Sequence, residues 1–277
     1  MRVSIVTVSY NQVAFVEAAL KSVLGQKGAD IEYIVMDGGS ADGTREVIAR
    51  YEKKLAYAAS EKDGGPAAAL NSGFARASGQ IFGYVNSDDL LLQGSVSEAV
   101  QVFEDQPDAD VVYAHGYIID ADGRVLSSAY SDKWSVCRYA AGACVVLQPA
   151  TFIRAEAFRA VGGFREDASF TWDGQLLVDI GLNGGRMRRV DRRWAAFRLH
   201  GESITGSGLH RSEAYAREKR RIAERIRGEG ALCAFARCRG LGRVLKWASD
   251  PRIVGRKISE RLGFRGSPKR PQAVRSP

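Results

Sequence analysis

The sequence predicts an α/β fold: a Rossmann-like, mixed but mainly parallel sheet flanked by helices, with a helical, basic C-terminal appendage. Three observations carry this. Short β-branched runs alternate with segments of helical apolar spacing over the first ninety residues, the pattern of a sheet covered on both faces. Each of these runs ends in Ser, Asp, Asn or Gly, the residues of turns. Charge is divided, because 19 of the 40 Lys/Arg but only 7 of the 32 Asp/Glu lie from residue 201 onward. The overall charge of +8 therefore belongs to the tail, over a mildly acidic body.

The elements follow in order. Val3-Ser4-Ile5-Val6-Thr7-Val8 is short and β-branched and reads as a buried strand, broken by Ser9-Tyr10-Asn11-Gln12. Residues 14–24 carry Phe15, Ala18, Ala19 and Val23 at helical spacing. A second strand over 31–36 ends at Asp37, and 38–44 is a loop by composition before a helix through Tyr51. Residues 55–59 form a weaker strand. Asp63-Gly64-Gly65-Pro66 turns into a helix through Ala77, with Pro66 in its first turn. The run 81–85 is the next strand. Beyond it the pattern gives a helix over 95–103, a strand over 110–119, a turn at 120–123, a strand-like stretch over 145–154, a short helix over 155–161 and a helix from Leu176. His115 lies in the 110–119 strand and reads as structural.

With 277 residues, 45% of them hydrophobic, the chain can bury a sizeable core. No apolar run reaches membrane-spanning length, and Met1-Arg2 leads straight into strand sequence, so the expected location is cytoplasmic. Cys137, Cys144, Cys233 and Cys238 match no zinc or redox spacing and read as reduced, small hydrophobes.

In parallel sheets ligands bind beyond the carboxyl ends of the strands. Here those ends carry Ser9-Tyr10-Asn11, Asp37-Gly38-Gly39-Ser40, Glu61-Lys62-Asp63 and Asn86-Ser87-Asp88-Asp89, which would meet on one rim. Adjacent carboxylates at the end of a buried strand repel unless a positive partner joins them, and oxygen ligands suit Mg²⁺ or Mn²⁺. The plainer reading of Asp88-Asp89 alone is a solvated acidic turn. Neither a Gly-x-Gly-x-x-Gly fingerprint nor a P-loop follows the first strand, so no glycine-rich phosphate cradle is present.

Ser4 to Asn11, Val35 to Thr44, Ser60-Glu61-Lys62-Asp63-Gly64-Gly65 through Asn71-Ser72-Gly73, and Asn86-Ser87-Asp88-Asp89-Leu90, in this order and spacing, resemble family 2 glycosyltransferases of the GT-A fold. The resemblance covers roughly the first two thirds of the chain. It implies an inverting transfer from a nucleotide-diphosphate sugar (UDP, GDP or dTDP) to a hydroxyl of a saccharide or lipid-linked acceptor. It further implies that Thr7, Ser9, Tyr10, Asp37 and Gly38 hold the nucleoside, and that Asp63, Asn71, Asn86 and Asp88 line the sugar-diphosphate side. Asp88 would ligate the metal, with Asp89 and His200 beside it. Asn86 departs from the commoner Asp at the first position of the motif, which removes one negative charge. Asp173 matches the position of the general base, with Asp167 and Asp179 as weaker alternatives. From the residues alone Asp37 is equally a loop cap, Asp63 a turn residue, Asn71 a surface helix residue, Asp173 an N-cap and His200 a loop histidine. Arg192-Arg193-Trp194 lacks the preceding Gln that a processive synthase would carry.

The expected organisation is a GT-A domain over 1–205, a helical basic extension over 206–265 and a disordered tail over 266–277. Residues 211–227 favour helix, and 231–247 and 252–264 interleave apolar residues with Arg and Lys. Such helices either dock on an anionic membrane surface, which would make the protein peripheral on the inner membrane face, or pack on the domain with a solvated charged face. No motif supports nucleic-acid binding. A sugar nucleotidyltransferase, or a non-catalytic nucleotide-sugar or membrane-surface binding protein, are the competing readings. The first would need a Gly-rich basic loop after the first strand, which Ser9-Tyr10-Asn11-Gln12 is not.

Overall fold

The computed structural model describes residues 1–203, 205–228 and 255. The elements run β1 (Arg2–Ser9), α1 (Val16–Leu24), β2 (Asp30–Asp37), α2 (Thr44–Ala49), β3 (Tyr57–Ser60), α3 (Pro66–Phe74), β4 (Ile81–Asn86), β5 (Leu90–Leu91), α4 (Ser95–Asp105), β6 (Val111–Ile119), β7 (Val125–Ala129), α5 (Val136–Ala140), β8 (Thr151–Arg154), α6 (Ala155–Ala160), α7 (Trp172–Leu182), β9 (Met187–Arg198) and α8 (Glu213–Gly228). Among the described residues one sheet has the order β3-β2-β1-β4-β8-β6-β9-β5, with β7 on β6. β1 to β4 are parallel, β8 runs antiparallel between β4 and β6, and β9 is parallel to β6.

Apolar residues of β1 face both ways, as a central strand requires. On one face Val3 and Ile5 join Leu20 of α1 and Phe103 of α4. On the other Val6 and Val8 join Leu70 and Phe74 of α3 and Leu176 of α7. Phe74, Phe82, Phe158 and Phe164 pack ring to ring here, which ties α3 and α6 to the sheet. Each such buried ring contributes about 1.5–3 kcal/mol of transfer free energy.

The register sets the rim. Ser9 pairs with Asp37, Asp37 with Ser60, and Val8 with Asn86, so four strands end together. The alternation expected for the first ninety residues is present throughout. Two later segments differ from expectation. Only Thr151–Arg154 is strand; Gln148–Ala150 is a 3-10 turn, because Pro149 has no N–H to give a ladder. The long strand β9 was not expected. Its first half is rich in arginine, and its pairing with β6 and β5, not its own pattern, makes it a strand. Gly116 of β6 permits the close approach, since a Cβ there would stand 2.1 Å from the Ala195 carbonyl oxygen.

Helix α8 packs on the domain. Glu218, Ile222 and Ile226 recur every four residues and are its buried stripe. Both isoleucines pack with Tyr139, Cys144 and Val178. Arg225 and Arg165 both pair with the buried Asp179 of α7, Arg165 at 2.7 Å. Asp167, the other alternative base, pairs with Arg221 of α8 at 3.1 Å. The cysteine expectation needs correcting, since Cys137 is disulfide-bonded; Cys144 remains a buried thiol. The helices expected over 231–247 and 252–264, apart from Gly255, and the 266–277 tail lie outside the described residues. Among the described residues no helix is long and apolar enough to cross a membrane.

Candidate active site

A cavity of about 1120 Å³ opens at the carboxyl ends of β1 to β4. Its lining includes Ser9, Tyr10, Gly38, Asp63, Asn86 and Asp88 from the strand ends, and Trp134, Tyr139, Trp172, Asp173, Tyr215 and Lys219 from α5, α7, α8 and the segment before α5. At the strand ends Tyr10 is an exposed ring at 63%. Ser9 is buried and its Oγ has no partner among the described residues. Asp63 accepts from Gly65 N at 2.8 Å, an Asx-type turn that holds its carboxylate beside Gly38. A Cβ on residue 38 would stand 3.0 Å from Asp63 Oδ2, so glycine keeps that approach open.

At the end of β4, Asn86 donates from Nδ2 to Gln148 Oε1 at 3.1 Å, and Gln148 is buried and donates to the Tyr84 carbonyl. Two residues on, Asp88 Oδ2 stands 3.0 Å from His200 Nε2. Antiparallel pairing of β5 with β9, with Leu90 opposite Ala196, brings His200 back across the chain to Asp88. His200 rests against the Phe15 ring, 4.6 Å between centroids. Arg198 locks this corner. It is 4% exposed and donates from Nε to the Asp88 carbonyl, from its backbone N to Asp89 Oδ1, and from Nη1 to the carbonyls of Asp120 and Ala121, all within 2.9 Å. Sequence reasoning missed Arg198; an arginine two residues before a candidate histidine was the available signal.

Asp88 and His200 fit a divalent cation. Two ligands of one octahedral Mg²⁺ or Mn²⁺ stand about 3 Å apart, the spacing seen here. Asp89 does not join them. It is fully buried, its Oδ1 is taken by Arg198, and burial and the neighbouring Asp88 charge push its carboxyl well up. Of the expected grouping of Asp88, Asp89 and His200, the structure brings Asp88 and His200 together, and among the described residues no three His, Cys, Asp or Glu converge as a metal group. Two protein ligands suit a cation of this kind, which keeps its other positions for phosphate and water.

Three other expected residues have their side chains engaged away from the cavity. Thr7 is buried and its Oγ1 lies 2.9 Å from the Tyr33 hydroxyl. Asp37 is buried; Oδ2 accepts from Ser40 N and Ser60 Oγ, and Oδ1 from Ser40 Oγ. This ties the ends of β2 and β3 together and leaves its carboxylate already satisfied. Asn71 donates to the Phe164 carbonyl at 2.9 Å and Glu166 Oε1 at 3.0 Å, and accepts from Phe164 N at 2.9 Å. His115 accepts from Ser131 N at 3.0 Å and is a satisfied core histidine.

Among the helix residues of the lining, Asp173 sits in the first turn of α7, one residue inside Trp172. Thr171 occupies the cap position, so Asp173 is not the N-cap. Burial raises its carboxyl pKa; the N–H of Gly174 and the Lys219 ammonium act against that rise. Lys219 was not anticipated, because nothing in the sequence marks one lysine of a basic helix as facing the site.

The sequence pattern of Glycosyl transferase family 2 matches residues 4–161. The chain belongs to this family. The family pattern thus includes the ends of β1 to β4 but stops before Asp173 and His200. Among relatives, an uncharacterized glycosyltransferase of Nostoc sp. is 30% identical over 135 residues, 47% of this chain and 41% of that one. The GalNAc(5)-diNAcBac-PP-undecaprenol beta-1,3-glucosyltransferase of Campylobacter jejuni is 30% identical over 139 residues, 48% of this chain and 43% of that one. The match thus spans about two fifths of either relative's length. Among solved structures, residues 1–349 of S. aureus TarS in complex with UDP-GlcNAc superpose with a TM-score of 0.62 at 19% identity, covering 75% of this chain and 61% of that fragment. The mannosyltransferase PcManGT from Pyrobaculum calidifontis, in complex with GDP-Man and Mn²⁺, gives 0.60 at 17% identity, covering 95% of this chain and 81% of that one. These two share the GT-A fold with this member of the family.

Proposed function

We propose that the chain is an inverting glycosyltransferase that moves a sugar from a nucleotide-diphosphate donor to an acceptor hydroxyl. The observation that carries this is that Asp88, paired with His200, and Asp173 line one cavity at the strand ends. The donor nucleoside lies along Ser9, Tyr10 and Gly38, with its diphosphate toward Asp63, Asn86 and Asp88. Asp88 and His200 would hold Mn²⁺ or Mg²⁺, which would supply positive charge to the departing diphosphate. Asp173 takes the proton from the acceptor hydroxyl as its oxygen attacks the anomeric carbon and the bond to the diphosphate oxygen breaks. A carboxylate whose pKa is raised by burial is a stronger base for that step.

TarS and PcManGT are described with UDP-GlcNAc and GDP-Man, which supports a nucleotide-sugar donor. The Campylobacter relative is named for a lipid-linked acceptor, which supports a saccharide or lipid-linked acceptor and a role in surface polysaccharide or glycolipid synthesis. The basic residues beyond 228 would carry the protein to an anionic membrane surface for such an acceptor.

The test is an assay of nucleoside diphosphate release from UDP-GlcNAc, GDP-mannose and dTDP-glucose, with Mn²⁺ and a panel of free and polyprenyl-diphosphate-linked saccharides. The proposal expects release that depends on one acceptor and a product of opposite anomeric configuration to the donor. Formation of a nucleotide sugar from nucleoside triphosphate and sugar phosphate would contradict it.

A further inference from the structure

Helix α8 contributes more than packing. Glu218 is 9% exposed and receives four hydrogen bonds from the turn before α7: Ser169 N at 2.9 Å, Phe170 N at 3.1 Å, Thr171 N at 3.1 Å and Thr171 Oγ1 at 2.8 Å. One carboxylate thus fixes the segment that presents Asp173. The next residue, Lys219, lines the same cavity as Asp173, near enough for its charge to act on that carboxylate. Its Nζ lies 3.9 Å from the centre of the Tyr139 ring and 5.8 Å from that of Tyr215. A desolvated ammonium over a ring face is held in place by the ring quadrupole. Tyr139 in turn is pressed on α7, since a Cβ on Gly174 would fall within 1.8 Å of its hydroxyl.

We infer that Lys219 is a positioning residue that acts through Asp173, so that α8 is a working wall of the site. The inference rests on reading Asp173 as the base. The groups facing Asp173 are Lys219 and Tyr215 of α8, Tyr139 of α5 and Tyr84 of β4, with Glu218 of α8 and Cys144 acting on Lys219 and Tyr139. Among the described residues Lys219 is the cation of this set. Burial lowers the Lys219 pKa while Asp173 raises it, and burial raises that of Asp173 while Lys219 lowers it. Each charge therefore favours the other where water is scarce. The ammonium keeps the carboxylate in the form that accepts a proton, and the ring contacts hold the ammonium where it stands.

The experiment is a carboxyl ¹³C NMR titration of the full chain, with the Asp173 signal assigned by its loss in Asp173→Asn. It is run on the wild type, Lys219→Met and Lys219→Arg. Lys219→Met is expected to move the Asp173 midpoint upward and Lys219→Arg to return it toward the wild-type value. Reciprocally, Asp173→Asn is expected to move the Lys219 ammonium midpoint downward, read from lysine ¹³Cε shifts. A midpoint unmoved in Lys219→Met, or one that moves equally in Lys219→Arg, would overturn the proposal. The titration needs neither donor nor acceptor, so its failure is separate from failure of the transfer assay. Should Lys219→Met not fold, the lysine arm in Asp173→Asn decides alone.

Discussion

His200 Nε2 stands 3.0 Å from Asp88 Oδ2, although 112 residues separate them in the chain. The contact exists because a two-residue strand after β4 pairs antiparallel with the end of β9, and because Phe15 closes the corner by packing against both the His200 ring and the Arg198 guanidinium. If this pair holds a cation, His200→Ala leaves one protein ligand. Metal-dependent donor affinity then falls by about 10–100-fold. Isothermal titration of Mn²⁺ with UDP-GlcNAc or GDP-mannose present would measure it, and unchanged affinity would show the pair to be an ordinary hydrogen bond.

Arg198 makes the sharpest stability prediction. Arg198→Met removes the Nε and Nη1 donors from the Asp88, Asp120 and Ala121 carbonyls and the positive charge beside Asp89. Breaking a buried charged partnership costs about 3–5 kcal/mol, which at this size lowers Tm by about 10 °C. Arg192, 67% exposed and 3.9 Å from Glu98, is the control; Arg192→Ala should change stability by less than about 1 kcal/mol. Calorimetry on both variants separates the two cases.

Asp173→Asn carries two opposed effects. If Asp173 is the base, transfer falls by about 10²–10⁴-fold while donor binding persists. Stability moves the other way. The folded-state pKa of Asp173 is raised, so ionising it disfavours the fold, and stability is lost as pH rises from the unfolded carboxyl value of about 3.9 through the folded value. Asparagine escapes that loss. The Asn variant should therefore melt higher than the wild type at neutral pH, and the gap should narrow as pH is lowered toward about 4. Equal melting temperatures across this range would mean that the carboxyl is not desolvated.

Ile226→Ala tests whether α8 belongs to the domain. Ile226 is fully buried with Tyr139 and Val178, so the truncation costs about 2–5 kcal/mol. Chemical denaturation should show one transition with a lower midpoint. A change within about 0.5 kcal/mol would make α8 a surface appendage.

The first half of the molecule was legible because its strands are buried on both faces and announce themselves as unbroken apolar runs, and because parallel strands must end together. The rim of Ser9, Asp37, Ser60 and Asn86 follows from that alone. β9 was not legible, since Arg188, Arg189, Arg192 and Arg193 hide a strand whose neighbours impose it. The role of each rim side chain was also beyond the sequence. Asp37 and Asp88 both follow strands, yet one carboxylate is consumed by two serines and the other meets a histidine. Which partner each finds depends on β3 and β9, far along the chain. Lys219 was hidden for the same reason, since one lysine among the arginines of α8 is singled out only by what the helix packs against.

Thermal melting of the wild type and Asp88→Ala with UDP-GlcNAc, GDP-mannose and dTDP-glucose, each with and without Mn²⁺, bears most directly on the account. A ligand that binds only the folded state raises Tm by mass action, about 2.7 kcal/mol of stabilisation at a hundredfold excess over Kd. The account predicts that at least one donor raises the wild-type Tm with Mn²⁺ present and that the rise disappears in Asp88→Ala. A rise of equal size in Asp88→Ala, or none with any donor, would contradict it.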